Sequence, residues 1–232
     1  MMTVSVEQDH RGLYRAGGLS AIVIGVAYIV TIGLFARVGA PPSDGEAWLR
    51  YLDGKTSFWW AILALSVITD LLFVPVAFSL YFALRGVNRD AMLVATALVA
   101  IFIILDLAVT WANHGALIRL TARYDAATSE AQRAAYVAAA NYAAAVLASP
   151  LEAVYAIMVL SLGIGLTSLL MLRGVFSRWT SYLGLAIGVS GIVSVAGWAV
   201  TVILNAVLAT IWVIAVGFAL YRLGQRGGRG PW

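Results

Sequence analysis

Long apolar runs separated by short polar stretches dominate the chain. Six such runs occur, at about residues 17–38, 58–84, 91–117, 151–172, 180–199 and 203–222. A helix needs about 20 apolar residues to cross the hydrocarbon core of a bilayer, and these runs have about that length or more. Strands of a membrane barrel would be about 10 residues long, with polar and apolar positions alternating, which these runs lack. The pattern therefore predicts an all-α bundle of six transmembrane helices.

Basic residues set the predicted orientation, because they collect on the cytoplasmic side of membrane proteins. With six spans, nine arginines fall on one side: Arg11, Arg15, Arg85, Arg89, Arg173, Arg178, Arg222, Arg226 and Arg229. The opposite loops mix basic with acidic residues. We therefore expect both termini to be cytoplasmic. The predicted organisation is an N-terminal segment 1–16, a transmembrane domain 17–222 and a basic tail 223–232.

Three short stretches outside or between the spans predict where helices start, bend or turn. Ser43 and Glu46 have the spacing of a helix capping box, which predicts a short helix at the outer membrane surface. Ser129 and Gln132 repeat that spacing before an alanine-rich helix, which we expect to run into span four and to bend at Pro150. Spans five and six are interrupted mainly around Gly197, Trp198 and Asn205, which predicts a hairpin.

Composition supports lipid as the surrounding solvent and excludes several functions. Hydrophobic residues make up 62% of the chain and charged residues 11%, whereas a soluble domain has roughly a quarter charged residues. The net charge of +4 is small and its basic residues are dispersed, so no nucleic-acid partner is expected. The absence of cysteine excludes disulfides and thiolate metal sites. His10 and His114 are the only histidines, so we expect no haem, no metal and no other cofactor.

Three acidic residues lie inside or at the edge of predicted spans: Asp70, Asp106 and Glu152. A charge at the centre of a bilayer costs about 2.5–3.5 kcal/mol on the insertion scale, so such residues usually face the interior of a helix bundle. Spans two and three are joined by a short link and should pack antiparallel. We therefore expect Asp70 and Asp106 to be neighbours.

Further polar residues extend this pattern toward the outer surface. Thr110, Asn113 and His114 follow Asp106 on one side of the third helix, and Tyr155 follows Glu152 in span four. If these faces converge, they form a polar cavity in the outer half of the bundle. Each group also has a structural interpretation, because polar side chains hold membrane helices together. His114 would then be a solvated interface residue, and Glu152 would stabilise a helix N-terminus.

Three functions remain open at this point. The first is a protein that binds or moves a small lipophilic or protonatable ligand, with the lipid bilayer as its environment. The second is an accessory or structural subunit whose polar groups are all internally paired. The third is an intramembrane enzyme that uses Asp70 or Asp106 as an acid and Glu152 or His114 as a base, by analogy with other two-carboxylate sites.

Four short motifs resemble those of a known family. They are YRAG at Tyr14–Gly17, TDLL at Thr69–Leu72, LRGVNR at Leu84–Arg89 and the glycine pattern of Tyr182–Gly191. Together they resemble a large bacterial family of six-helix membrane proteins that is defined only as a domain of unknown function. The resemblance covers about residues 13–224 and implies a multi-pass protein of the bacterial cytoplasmic membrane. It assigns no catalytic residue.

Overall fold

The computed structural model of the chain describes residues 10–196 and 199–226. No strand occurs within those ranges, so the predicted all-α class is confirmed. The α-helices are α1 (Arg11–Val38), α2 (Gly45–Tyr51), α3 (Thr56–Leu84), α4 (Arg89–Leu105), α5 (Ala112–Asp125), α6 (Glu130–Leu147), α7 (Pro150–Glu152), α8 (Leu160–Met171), α9 (Arg178–Ser194) and α10 (Ala199–Arg226). Two π-helical segments, Asp106–Trp111 and Ala153–Val159, join α4 to α5 and α7 to α8.

Within the described residues, five continuous helical stretches are long and apolar enough to cross a membrane: Arg11–Val38, Thr56–Leu84, Arg89–Asp125, Pro150–Met171 and Val200–Gln225. Helix α9 has 17 residues, which corresponds to about 25 Å at 1.5 Å per residue. It is therefore slightly shorter than a hydrocarbon core of about 30 Å.

The last two helices begin and end differently from the predicted runs. Asn205 lies inside α10 and does not interrupt it, whereas Gly197 and Trp198 lie outside the described residues. Helix α10 also continues through the first residues of the predicted tail, and α1 begins at Arg11, within the predicted N-terminal segment. The remainder of the tail, residues 227–232, lies outside the described residues, as do residues 1–9.

The long helices form a closed ring in which each packs against two neighbours. The order around the ring is α1, α3, α4, α8, α9, α10 and back to α1. Helices α1 and α10 are antiparallel, since Arg15 donates from Nε to the carbonyl oxygen of Gly224 at 3.2 Å while Gly25 lies against Ile214. The start of α1 and the end of α10 therefore lie at the same end of the bundle.

Small residues allow the close approach of α8 and α9. A Cβ atom added to Gly188 would lie 3.2 Å from the Cα of Gly165, and one added to Gly191 would lie 2.1 Å from the Cβ of Ser161. The G-x-x-x-G pattern of Gly184 and Gly188 thus packs within the bundle, as small-residue patterns do in membrane helices.

Besides the core inside the ring, a second hydrophobic core joins the end of α1 and the start of α3 to α2, α5 and α6. Helix α2 packs against α5 and α6, and the backbone N–H of Gly45 donates to Asn141 Oδ1 at 2.9 Å. The predicted cap of α2 is wrong by one position, because Asp44 and not Ser43 accepts from the N–H of Ala47. The predicted cap of α6 is confirmed, since Ser129 accepts from the N–H of Gln132.

Pro150 starts a helix and does not bend one. Helix α6 ends at Leu147, and Ser149 caps the next helix by accepting from the N–H of Leu151. Proline suits the first position of a helix because its missing N–H would have no partner there in any case. The expectation of one continuous helix bent at Pro150 is therefore wrong.

Asn205 links α10 to α8 and α9. Its Nδ2 lies 3.2 Å from Ser161 Oγ, 3.1 Å from the carbonyl oxygen of Ile187 and 2.9 Å from Ser190 Oγ. We expect Asn205→Leu to lower the free energy of unfolding by about 1–2 kcal/mol, because these buried acceptors lose their donor. Thermal denaturation in detergent measures the effect, with the exposed Leu204→Ala as control. An N205L protein as stable as the wild type would contradict this role.

Candidate functional site

Two buried carboxyl groups lie side by side in the middle of the bundle. Asp70 lies at the midpoint of α3 and Asp106 begins the first π-helical segment, and their side chains are 2% and 5% exposed. The indole Nε1 of Trp111 lies 3.0 Å from Asp70 Oδ2 and 3.0 Å from Asp106 Oδ2. Because both oxygens are 3.0 Å from the same nitrogen, they are at most 6.0 Å apart.

The π-helical geometry explains how Trp111 reaches both acids. In an α-helix, residues five apart point about 140° away from each other, at about 100° per residue. In a π-helix the repeat is wider, with hydrogen bonds between residues five apart, so Asp106 and Trp111 lie on the same face. Trp111 was therefore absent from the predicted site, because α-helical spacing places it on a different face from Asp106. A donor-only side chain five residues after an intramembrane acid is the signal that could have identified it.

The second π-helical segment lies opposite the first. It contains Tyr155, whose hydroxyl is 3.2 Å from the hydroxyl of Thr110. Glu152 precedes it in the first turn of α7, where Ser149 and not Glu152 provides the cap. The carboxyl group of Glu152 is partly buried and close enough to interact electrostatically with Asp106 and Tyr155. The structure thus brings Asp70 and Asp106 together through Trp111, and Thr110 and Tyr155 together through their hydroxyl groups.

Asn113 and His114 have other surroundings. Asn113 donates from Nδ2 to the carbonyl oxygen of Val109 in its own helix, at 2.8 Å. His114 donates from Nδ1 to the carbonyl oxygen of Thr110 at 2.9 Å. Its ring is packed among three indoles, with centroid distances of 5.7 Å to Trp48, 5.1 Å to Trp59 and 5.3 Å to Trp111. His114 therefore packs in an aromatic cluster and differs from the solvated interface histidine that we expected.

A cavity of about 280 Å³ adjoins the two carboxyl groups. Its walls come from α1, α3, α4, the first and second π-helical segments, the start of α8 and α10. It reaches the surface between α1 and α10, because Ile32 and Phe35 of α1 and Val202 of α10 both line it and are exposed. The polar groups on the walls are Tyr28, Thr31, Ser66, Thr69, Asp70, Asp106, Trp111, Asn205 and Thr210.

Acidic side chains on the walls of this cavity have no basic counterpart among the described lining residues. None of the described residues that line it is a lysine, an arginine or a histidine. Within the described part of the chain, no donor forms a hydrogen bond with the buried Oδ1 atom of Asp106. One indole N–H is therefore the hydrogen-bond donor that the two carboxyl groups share.

The fold and this site together define a helical membrane protein with an acidic cavity that opens to the surface between α1 and α10. The comparisons with known proteins found no relative of this chain. No protein-family model, no curated protein sequence and no solved structure matches the chain.

Proposed function

We propose that the protein binds a small lipophilic or protonatable ligand in the cavity beside Asp70 and Asp106, and that it can move this ligand through the opening of the cavity. The observation that carries this proposal is the pair of buried carboxyl groups on the wall of a 280 Å³ cavity without a basic partner among the described lining residues. Buried charges in membrane proteins mark ligand and ion pathways because their burial is costly. Apolar walls beside a few polar groups are typical of small-molecule sites.

We further propose six membrane crossings with both termini cytoplasmic. Helix α9 would be the short crossing, since it lies between α8 and α10 in the ring. The hydrogen bond from Arg15 to Gly224 supports an even number of crossings, because it holds the start of α1 beside the end of α10. The resemblance to six-helix bacterial proteins of unknown function favours the bacterial cytoplasmic membrane as the location.

The two other functions are less compatible with the geometry. An accessory subunit with internally paired polar groups needs no void, whereas a cavity adjoins the acids and Asp106 Oδ1 has no donor in the described part of the chain. The enzyme would need its acid, Asp70 or Asp106, and its base, Glu152 or His114, around one open pocket. Asp70 and Asp106 line the cavity, whereas neither Glu152 nor His114 is among the described residues on its walls.

Filling the cavity tests the binding function. Ala209 lines the cavity on α10, and we expect Ala209→Phe to place a ring in that volume and displace the ligand. Native mass spectrometry of protein purified in mild detergent should show a small bound molecule on the wild type and a loss of most of it from the variant. Val207→Phe is the control, since Val207 is 42% exposed on the same helix. Equal ligand content in the wild type and A209F would contradict the proposal.

A further inference from the structure

The charges around the cavity restrict the class of ligand, provided that the proposed binding function holds. Titratable groups face Asp70 and Asp106 from several packed elements, and none of the described residues that line the cavity is basic. His114 contacts the ring of Trp111 at a centroid distance of 5.3 Å and does not line the cavity. Helix α1 contributes Tyr28, and the fourth helical stretch contributes Glu152 and Tyr155. The described residues of α10 that line the cavity contribute only neutral side chains, of which Asn205 and Thr210 are polar. A ligand that carries a negative charge would therefore meet carboxyl groups and no counter-charge.

The two acids need a positive partner for electrostatic reasons. Their Oδ2 atoms are at most 6.0 Å apart, and two like charges at that distance in a medium of low dielectric constant repel strongly. The single N–H of Trp111 is shared between them, and Asp106 Oδ1 receives no hydrogen bond from the described residues. One proton held between the carboxyl groups, or one cation, would reduce the charge of the pair from −2 to −1.

The remaining walls suit an apolar body attached to that cation. Phe102, Ile157 and Leu160 line the interior, and Ile32 and Phe35 lie where the cavity reaches the exterior between α1 and α10. A molecule in the membrane could therefore enter the cavity from lipid between apolar side chains of α1 and α10. The faces of aromatic rings such as Tyr28 and Phe102 also attract cations.

We propose that the ligand is an amphiphilic amine whose ammonium group replaces a proton held between Asp70 and Asp106. The protonated amine enters between α1 and α10 and donates N–H to Asp106 Oδ1. The O–H bond of the protonated carboxyl group breaks, and its proton leaves to water. One positive charge enters and one leaves, so the charge of the cavity does not change. Higher proton concentration therefore competes with amine binding.

Three compounds with the same apolar cage test this proposal in the full-length protein. They are 1-adamantylamine, which is cationic at neutral pH, the neutral 1-adamantanol and the anionic 1-adamantanecarboxylate. Isothermal titration calorimetry in detergent should show that the amine binds at least about tenfold more tightly than the alcohol, because it adds a charge-assisted hydrogen bond. The heat of amine binding should depend on the ionisation enthalpy of the buffer, as release of one proton requires, and its affinity should fall at lower pH.

Variants separate this inference from the binding function on which it rests. Asp106→Asn should remove the preference for the amine and the proton release, whereas Asp90→Asn, at the inner start of α4, should change neither. The proposal is overturned if the wild type binds the alcohol or the carboxylate as tightly as the amine, although the cavity would then still be a binding site. If none of the three compounds binds and A209F also leaves the co-purified molecule in place, both proposals fail. The comparison of the three compounds on the wild type remains decisive if D106N does not fold.

Discussion

Replacement of Gly18 by leucine is expected to prevent α1 from packing against α10 and to leave the ring of helices open. A Cβ atom at position 18 would lie 2.5 Å from the backbone nitrogen of Tyr221 and 2.8 Å from the carbonyl oxygen of Gly217. Both are backbone atoms, so no side-chain rotation relieves the clash and the two helices must separate. We expect a loss of about 3 kcal/mol or more in the free energy of unfolding, at the upper end for overpacked sites.

Gly33→Leu is the matched control for this prediction. Gly33 lies on the same helix, and a Cβ atom added there would have no heavy atom within 4 Å. Size-exclusion chromatography and thermal denaturation in detergent should show an aggregated or strongly destabilised G18L protein and a G33L protein like the wild type. Similar melting temperatures for G18L and the wild type would mean that the contact between α1 and α10 contributes little to stability.

Helices and their approximate limits followed from the apolar runs because lipid offers no partner for free backbone groups. In lipid, only helices and closed barrels satisfy all backbone hydrogen bonds. The all-α class was therefore predictable from the hydropathy of the chain. The residues at which helices begin and end were less predictable where polar side chains lie near those ends. Asn205 was expected to interrupt a helix, but its amide is buried within α10 and bonds to Ser161 and Ser190 on neighbouring helices.

The surroundings of the two acids were predictable only in part. A short link between α3 and α4 makes them antiparallel neighbours, so Asp70 and Asp106 could be expected to lie close together. The π-helical segments could not be anticipated, because no residue type specifies an i→i+5 turn and their position depends on packing between helices. The change from α to π spacing is what brings Trp111 to both carboxyl groups.

Helices α2 and α6 show the same difference between local and tertiary information. The spacing of Ser129 and Gln132 identified the start of α6 correctly, since this cap involves only residues three positions apart. Nothing local indicated that α2 packs against α6 through Gly45 and Asn141. The aromatic cluster around His114 likewise combines residues from α2, α3, the first π-helical segment and α5.

Removal of the indole N–H of Trp111 is expected to destabilise the protein, because the carboxyl groups of Asp70 and Asp106 lose the donor that they share. Trp111→Phe keeps an aromatic ring but leaves Asp70 Oδ2 and Asp106 Oδ2 without the donor that both share at 3.0 Å. An unsatisfied buried acceptor that can carry charge is costly, so we expect a loss of about 2–3 kcal/mol in the free energy of unfolding. Thermal denaturation in detergent measures the loss. Trp60→Phe is the control, because Trp60 is 42% exposed on α3.

A double variant shows whether the loss arises from the acids or from packing. Trp111 also contacts the ring of His114, with centroids 5.3 Å apart, so a packing defect alone could destabilise W111F. If the acids are responsible, the loss caused by Trp111→Phe should be smaller when Asp106→Asn is already present, because Trp111 and Asp106 share one interaction. Strictly additive losses would assign the effect to the aromatic cluster. They would also weaken the argument that the carboxyl pair depends on a donor or a cation for its burial.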